Sequence, residues 1–94
     1  MEEQDNLIFV GNKPFMNYVT GIVMQFTTKE ASEVIVKARG KFITKAVDIV
    51  EVAVHRFLEG KIKKLKIETS SEDFKNKEEK DVRVSTITIT LVKV

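Results

Sequence analysis

Residues 34–60 read VIVKARGKFITKAVDIVEVAVHRFLEG, a stretch that holds a strand, a turn and a helix in direct succession. Val34-Ile35-Val36 is β-branched and predicts a strand. If the strand period of two continues, Lys37 and Arg39 share a face. Gly40 then supplies the free backbone that a tight turn into a helix needs. From about Phe42 to Leu58 the polar residues Thr44, Asp48, Glu51, His55 and Glu59 recur at steps of three and four, a single narrow stripe. The rest of that helix is nearly all apolar, including Ile43, Ala46, Val47, Ile49, Val50, Ala53, Val54, Phe57 and Leu58. A helix apolar around so much of its circumference needs cover on more than one side. In a chain of 94 residues that implies a central helix, or one covered in part by a second copy. Gly60 sits where a helix C-cap glycine is expected.

The flanks complete the order. Upstream, Leu7-Ile8-Phe9-Val10 reads as a short buried strand ended by Gly11-Asn12. Pro14 suits the first turn of a helix. Phe15, Val19, Ile22, Val23 and Phe26 then fall on one helical face, with Gly21 inside it. Downstream, two strands are predicted at Ile62 to about Glu72 and at Val82 to Val94, where Ile87, Ile89 and Leu91 alternate with threonines. Residues 73–81 are charged around the lone Phe74 and read as the tip of a long hairpin. The fold class is therefore an α/β (α+β) two-layer sandwich of order βαβαββ, one domain over residues 1–94, with residues 1–5 as a flexible tail.

Composition narrows the chemistry. The chain has no Cys, which excludes thiol catalysis and Cys-based metal sites, and its single His excludes a His-rich metal centre. No apolar run approaches the roughly 18 residues of a membrane span, and the acidic start is wrong for a signal peptide. A cytoplasmic protein with no cofactor and no membrane partner is expected. His55 lies in the polar stripe near a helix end, and Asp48 with Glu51 shares one solvated face, so neither suggests an enzyme. The net charge is only +2, but the basic residues cluster at Lys13, at Lys37-Ala38-Arg39-Gly40-Lys41 and at Lys61 to Lys66. Lysines and arginines of this kind bind phosphate without an exact constellation.

Five blocks carry a family resemblance. They are residues Gly11 to Val19, Val36 to Lys41, Lys45 to Asp48, Arg56-Phe57, and Val84 to Ile87. In this order they resemble the Alba family of archaeal chromatin proteins over about residues 6–94. The resemblance implies a fold similar to the C-terminal domain of translation initiation factor three. It also implies a homodimer built on the second helix and the C-terminal strands, and non-catalytic binding of double-stranded DNA and of RNA. Such a protein is chromosome-associated.

By the same resemblance, Asn12 and Lys13 match a pair of lysines that meet nucleic acid. Asn12 stands at the family's regulatory acetylation position and has no charge to switch off. Lys37, Arg39 and Lys41 match the basic loop after the second strand. Lys75, Lys77, Lys80 and Arg83 fall on an arm that reaches the minor groove in the family, diluted here by Glu78, Glu79 and Asp81. Phe57 matches an aromatic contact between dimers on DNA, while Val54 replaces a family arginine nearby. The alternatives are an RNA-directed protein of the same fold acting on structured RNA, and a scaffolding dimer with no nucleic-acid role. A nuclease using Asp48 and Glu51 ranks last.

Overall fold

A computed structural model describes residues 6–94; the expected tail at residues 1–5 lies outside the described residues. The elements run β1 (Leu7–Phe9), α1 (Phe15–Thr27), β2 (Glu33–Arg39), a 3-10 turn (Gly40–Phe42), α2 (Ile43–Val52) continuing as a π turn (Ala53–Phe57), β3 (Ile62–Lys75) and β4 (Asp81–Lys93). The order is the expected βαβαββ. The four strands lie as β1-β2-β4-β3, with β1 parallel to β2 and the other pairs antiparallel.

Both helices cover one face of the sheet. On β2, Val34, Val36 and Ala38 are buried, and their partners on β4 are Leu91, Ile89 and Ile87, also buried. Against them pack Val19, Ile22 and Phe26 of α1 and Ala46, Ile49 and Val50 of α2. Val23 and Phe15, expected on the same α1 face, are only half-buried, and Tyr18 is buried beside Val19. Burial of this apolar surface, at about 25 cal/mol per Å², is the main force holding the two layers together.

Three expectations change. First, β1 is not a fully buried strand, because Phe9 is 65% exposed while Val10 enters the core. Second, the last turn of the second helix is π, not α. Its Leu58 N–H donates to the Ala53 carbonyl, five residues back, at 3.0 Å. In α geometry Phe57 would follow Ala46, Val50 and Ala53 on the buried stripe. The wider turn inserts one residue, so Leu58 takes the inner place and Phe57 is 50% exposed. Third, the hairpin strands run further than expected. Asp73, Phe74 and Lys75 pair with Arg83, Val82 and Asp81, and the tip shortens to residues 76–80.

Gly40 and Gly60 both adopt the left-handed conformation, with φ of +57° and +77°. A side chain is strained there, so glycine marks the entry to and exit from the second helix.

Candidate nucleic-acid interface

The topology gathers two of the three basic segments, the Lys13 loop and Lys37 to Lys41, at one end of the sheet. The third, Lys61 to Lys66, begins at the opposite end, where Lys63 pairs with Val92 and Val92 with Glu33 at the start of β2. β1 and β2 are parallel, so the loop after each leaves from the same end. β2 finishes at Arg39, which pairs with Thr86, and Thr86 pairs with Ser70. The remaining five pairs of the β3–β4 ladder, Ser71–Ser85 to Lys75–Asp81, have no β2 beside them and project past that same end. At about 3.4 Å per residue the projection is roughly 17 Å. It stretches the molecule to 46 × 29 × 24 Å.

The first loop, residues 11–14, presents Asn12 and Lys13 to solvent. It is latched from beneath. The Tyr18 hydroxyl accepts from the Gly11 amide at 2.9 Å and from the Lys13 amide at 3.2 Å. Lys45, at the start of α2, donates from Nζ to the Gly11 carbonyl at 2.7 Å and to the Lys13 carbonyl at 2.6 Å. The same ammonium lies 5.2 Å from the centre of the Tyr18 ring. Lys45 therefore ties the first loop to the second helix and turns the Lys13 side chain outward. No role was expected for Lys45. Its partners are 34 and 32 residues away in sequence, a separation that no local pattern encodes.

On β2, Lys37 and Arg39 do share a face, the one turned away from the helices. Their neighbours Val36 and Ala38 point into the core. Arg39 Nη1 bonds Glu72 Oε1 at 3.0 Å across an exposed gap. Lys41 follows in the 3-10 turn, its Nζ 5.4 Å from the Phe42 ring centre. Lys13, Lys37 and Lys41 form no ion pair among the described residues, and their charge is open to an incoming phosphate.

The arm differs in kind. Arg83 bonds Asp73 at 2.9 Å, Lys75 bonds Asp81 at 2.9 Å, and Lys80 lies 3.8 Å from Glu78. Among the arm cations Lys77 alone makes no ion pair among the described residues. The tip is closed by hydrogen bonds: Asn76 Oδ1 accepts from the Glu78 and Lys80 amides at 2.9 and 3.0 Å. Such exposed pairs are worth little and yield readily to a phosphate.

The two acids of the second helix do not converge on a shared site. Glu51 bonds Lys64 and His55, the latter at 2.9 Å, and Asp48 stands exposed on the surface. The hydrogen bond from Lys64 holds the Glu51 carboxyl below the usual carboxylate range; burial opposes the shift, and the charges of Lys64 and His55 add to it. Among the described residues no cluster of His, Asp or Glu has the arrangement of a metal site. No helix among them is long and apolar enough to cross a membrane.

A small α/β sandwich with two open basic loops and a projecting hairpin at one end defines a class of proteins built to meet an extended anionic partner. The family model described as Alba matches residues 6–71. The chain belongs to the Alba family. It is 47% identical to a DNA/RNA-binding protein Alba of Methanococcus maripaludis over 90 residues, covering 95% of this chain and 99% of the relative. It is 44% identical to a DNA/RNA-binding protein Alba of Thermoplasma acidophilum, over 94% of this chain and 96% of that one. Among solved structures, Alba from Thermoplasma volcanium superposes with a TM-score of 0.85 at 44% identity, covering 93% of this chain and 99% of the other.

Proposed function

We propose that this protein is a non-catalytic, chromosome-associated protein that coats double-stranded DNA with little sequence preference, acting as a homodimer, and that it also binds RNA. The observation that carries this reading is the convergence of the Lys13 loop, the Lys37–Lys41 segment and the hairpin arm on one end of the sheet. The relatives' name, DNA/RNA-binding protein Alba, supports it. The contacts are charge-based. Lys13, Lys37, Arg39 and Lys41 meet phosphates, with Asn12 donating a hydrogen bond, while Lys75, Lys77, Lys80 and Arg83 follow the groove from the arm. Phosphate contacts position a protein but read no bases.

The dimer reading rests on β3 and α2. Of the 14 residues in β3 only Ile62 is buried, and Leu65 and Ile67 are each 56% exposed. Ile67 pairs with Ile89, on the helix-covered side of the sheet. On α2, Val47 is 37% exposed and Val52 half-buried. An open edge strand with this apolar content invites a second copy. Two copies double the basic loops and present two arms, which lets a chain of net charge +2 hold a polyanion. Phe57, exposed at the helix end, is then available to join one dimer to the next along DNA.

The test is binding to duplex DNA and to structured RNA, side by side, across a range of salt. A dimer contacting roughly four to eight phosphates gives a slope of log K against log salt of about −4 to −7 on duplex DNA. A flat dependence rejects the coating reading. Binding confined to RNA moves the protein to the shape-directed alternative.

A further inference from the structure

The helices cover one face of the sheet. On the opposite face, at the end from which the arm leaves, lies a groove of about 610 Å³ lined by residues that include Phe9, Lys37, Arg39, Ser70, Glu72 and Thr86. That volume is in the range that small-molecule sites occupy. Phe9 is 65% exposed, although its neighbours Ile8 and Val10 both pack into the core. A single exposed apolar residue is ordinary on a protein surface. This one is placed beside a cation: Lys37 is its register partner on the adjoining strand. Lys37 makes no ion pair among the described residues, so ring and open charge stand side by side on one face.

An aromatic face, a free ammonium and a row of hydroxyls match the three parts of a nucleotide: base, phosphate and sugar. A duplex keeps its base faces stacked inside and offers none of them to a ring. An unpaired strand offers every one, and stacking on an aromatic side chain is tolerant of sequence. The Ser70 and Thr86 hydroxyls both donate and accept. One Glu72 oxygen accepts from Arg39 at 3.0 Å, which leaves the other as an acceptor for a ribose 2′-hydroxyl. That group is the one by which a protein tells RNA from DNA.

We propose that this groove is a binding site for single-stranded RNA. Phe9 is the platform on which one unpaired base stacks, Lys37 holds the neighbouring phosphate, and Glu72 with Ser70 and Thr86 receives the ribose. The proposal rests on the nucleic-acid reading above and deepens it by assigning RNA single strands to a face separate from the loop that carries Lys13.

The chain has no tryptophan, so Phe9→Trp places one fluorescent reporter in the groove. An oligouridylate should change its emission, and a DNA duplex at the same salt should not. Phe9→Ala should bind the oligouridylate about 5- to 150-fold more weakly, the span that loss of one base–aromatic stack covers, and should keep its duplex affinity. Phe9→Tyr, which retains a ring, should keep both. Phe9 is exposed, so all three variants should melt close to the unsubstituted protein, which separates a lost site from a lost fold.

The proposal is overturned if Phe9→Ala binds the oligouridylate as well as the unsubstituted protein, or loses duplex affinity equally. It is also overturned if the oligodeoxyuridylate binds as tightly as the RNA. Docking of a protein segment instead of RNA would leave the Phe9→Trp emission unmoved by the oligouridylate, and that result overturns it too. Failure of the wider reading has a different signature: duplex affinity unchanged in Lys13→Ala and Arg39→Ala.

Discussion

Lys45 spends its charge on the backbone of the first loop, the loop proposed to meet nucleic acid. Two of its three ammonium donors go to carbonyls of the first loop. Lys45→Met should therefore weaken duplex binding about 2- to 10-fold, the worth of one or two hydrogen bonds at a partly exposed site. The log–log salt slope should stay unchanged, because no phosphate contact is lost. Arg39→Ala should instead flatten the slope by about 0.9 for each phosphate contact removed. Salt-titrated binding of the two variants measures both effects. Glu51 gives a second prediction. Lys64 lowers its folded pKa beneath the ordinary 4.5, so the ionised form is favoured by folding. The stabilisation is complete above that value and is lost as pH falls below it towards the lowered one. Melting of Glu51→Gln should lag the unsubstituted protein at neutral pH, and the gap should close in acid. The group is partly exposed, so the gap is small.

Among the elements, the π turn that ends the second helix decides what Phe57 can do. Leu58 is 2% exposed and Phe57 is 50% exposed. Leu58→Ala should cost about 2–5 kcal/mol through the cavity it leaves. Phe57→Ala should leave the melting temperature nearly unchanged, yet make binding along long duplexes less steep while affinity for a duplex holding one dimer persists. A large fall in melting temperature with unchanged steepness would remove Phe57 from the contact between dimers. The first helix supplies an independent check. A Cβ at Gly21 would meet Ile8 Cδ1 at 3.9 Å, an ordinary contact, so no close approach requires glycine there. Gly21→Ala should raise stability by about 0.4–1 kcal/mol, read as an increase in melting temperature.

For the whole molecule, the arm sets the shape. The Cα radius of gyration is 14.3 Å, against roughly 12 Å for a compact chain of this length. The excess lies in a hairpin whose outer pairs run on beyond the end of β2. A strand of 14 residues with one buried side chain is poorly supported by its own chain. Sedimentation at low micromolar concentration should show two chains, and Ile67→Glu should shift the equilibrium towards one. A well-folded monomer of the unsubstituted protein would contradict the dimer and weaken the case for coating DNA, since one copy carries half the basic loops.

The order of elements was legible in the sequence, because that order is written in local periods. Alternation in Val34–Arg39 and Thr86–Leu91, the helical spacing of Val19, Ile22 and Phe26, and glycines at positions 40 and 60 each follow from a chain's nearest neighbours. Which lysines and arginines are candidates for phosphate was legible too, since charge type needs no fold to be read. How those charges are used came from the assembled fold. Arg39 facing Glu72, Arg83 facing Asp73 and Lys45 beneath the first loop are pairings across strands or across the chain. Phe57 matches a contact between dimers by resemblance alone; its exposure comes from a non-α turn, in which the Leu58 N–H bonds the Ala53 carbonyl, that no local period announces. Phe9 read as interior, because an apolar run of four cannot show that its strand has helices on one face only. Local pattern fixes what each segment is; which side of it meets solvent depends on the elements laid against it, and those come from elsewhere in the chain.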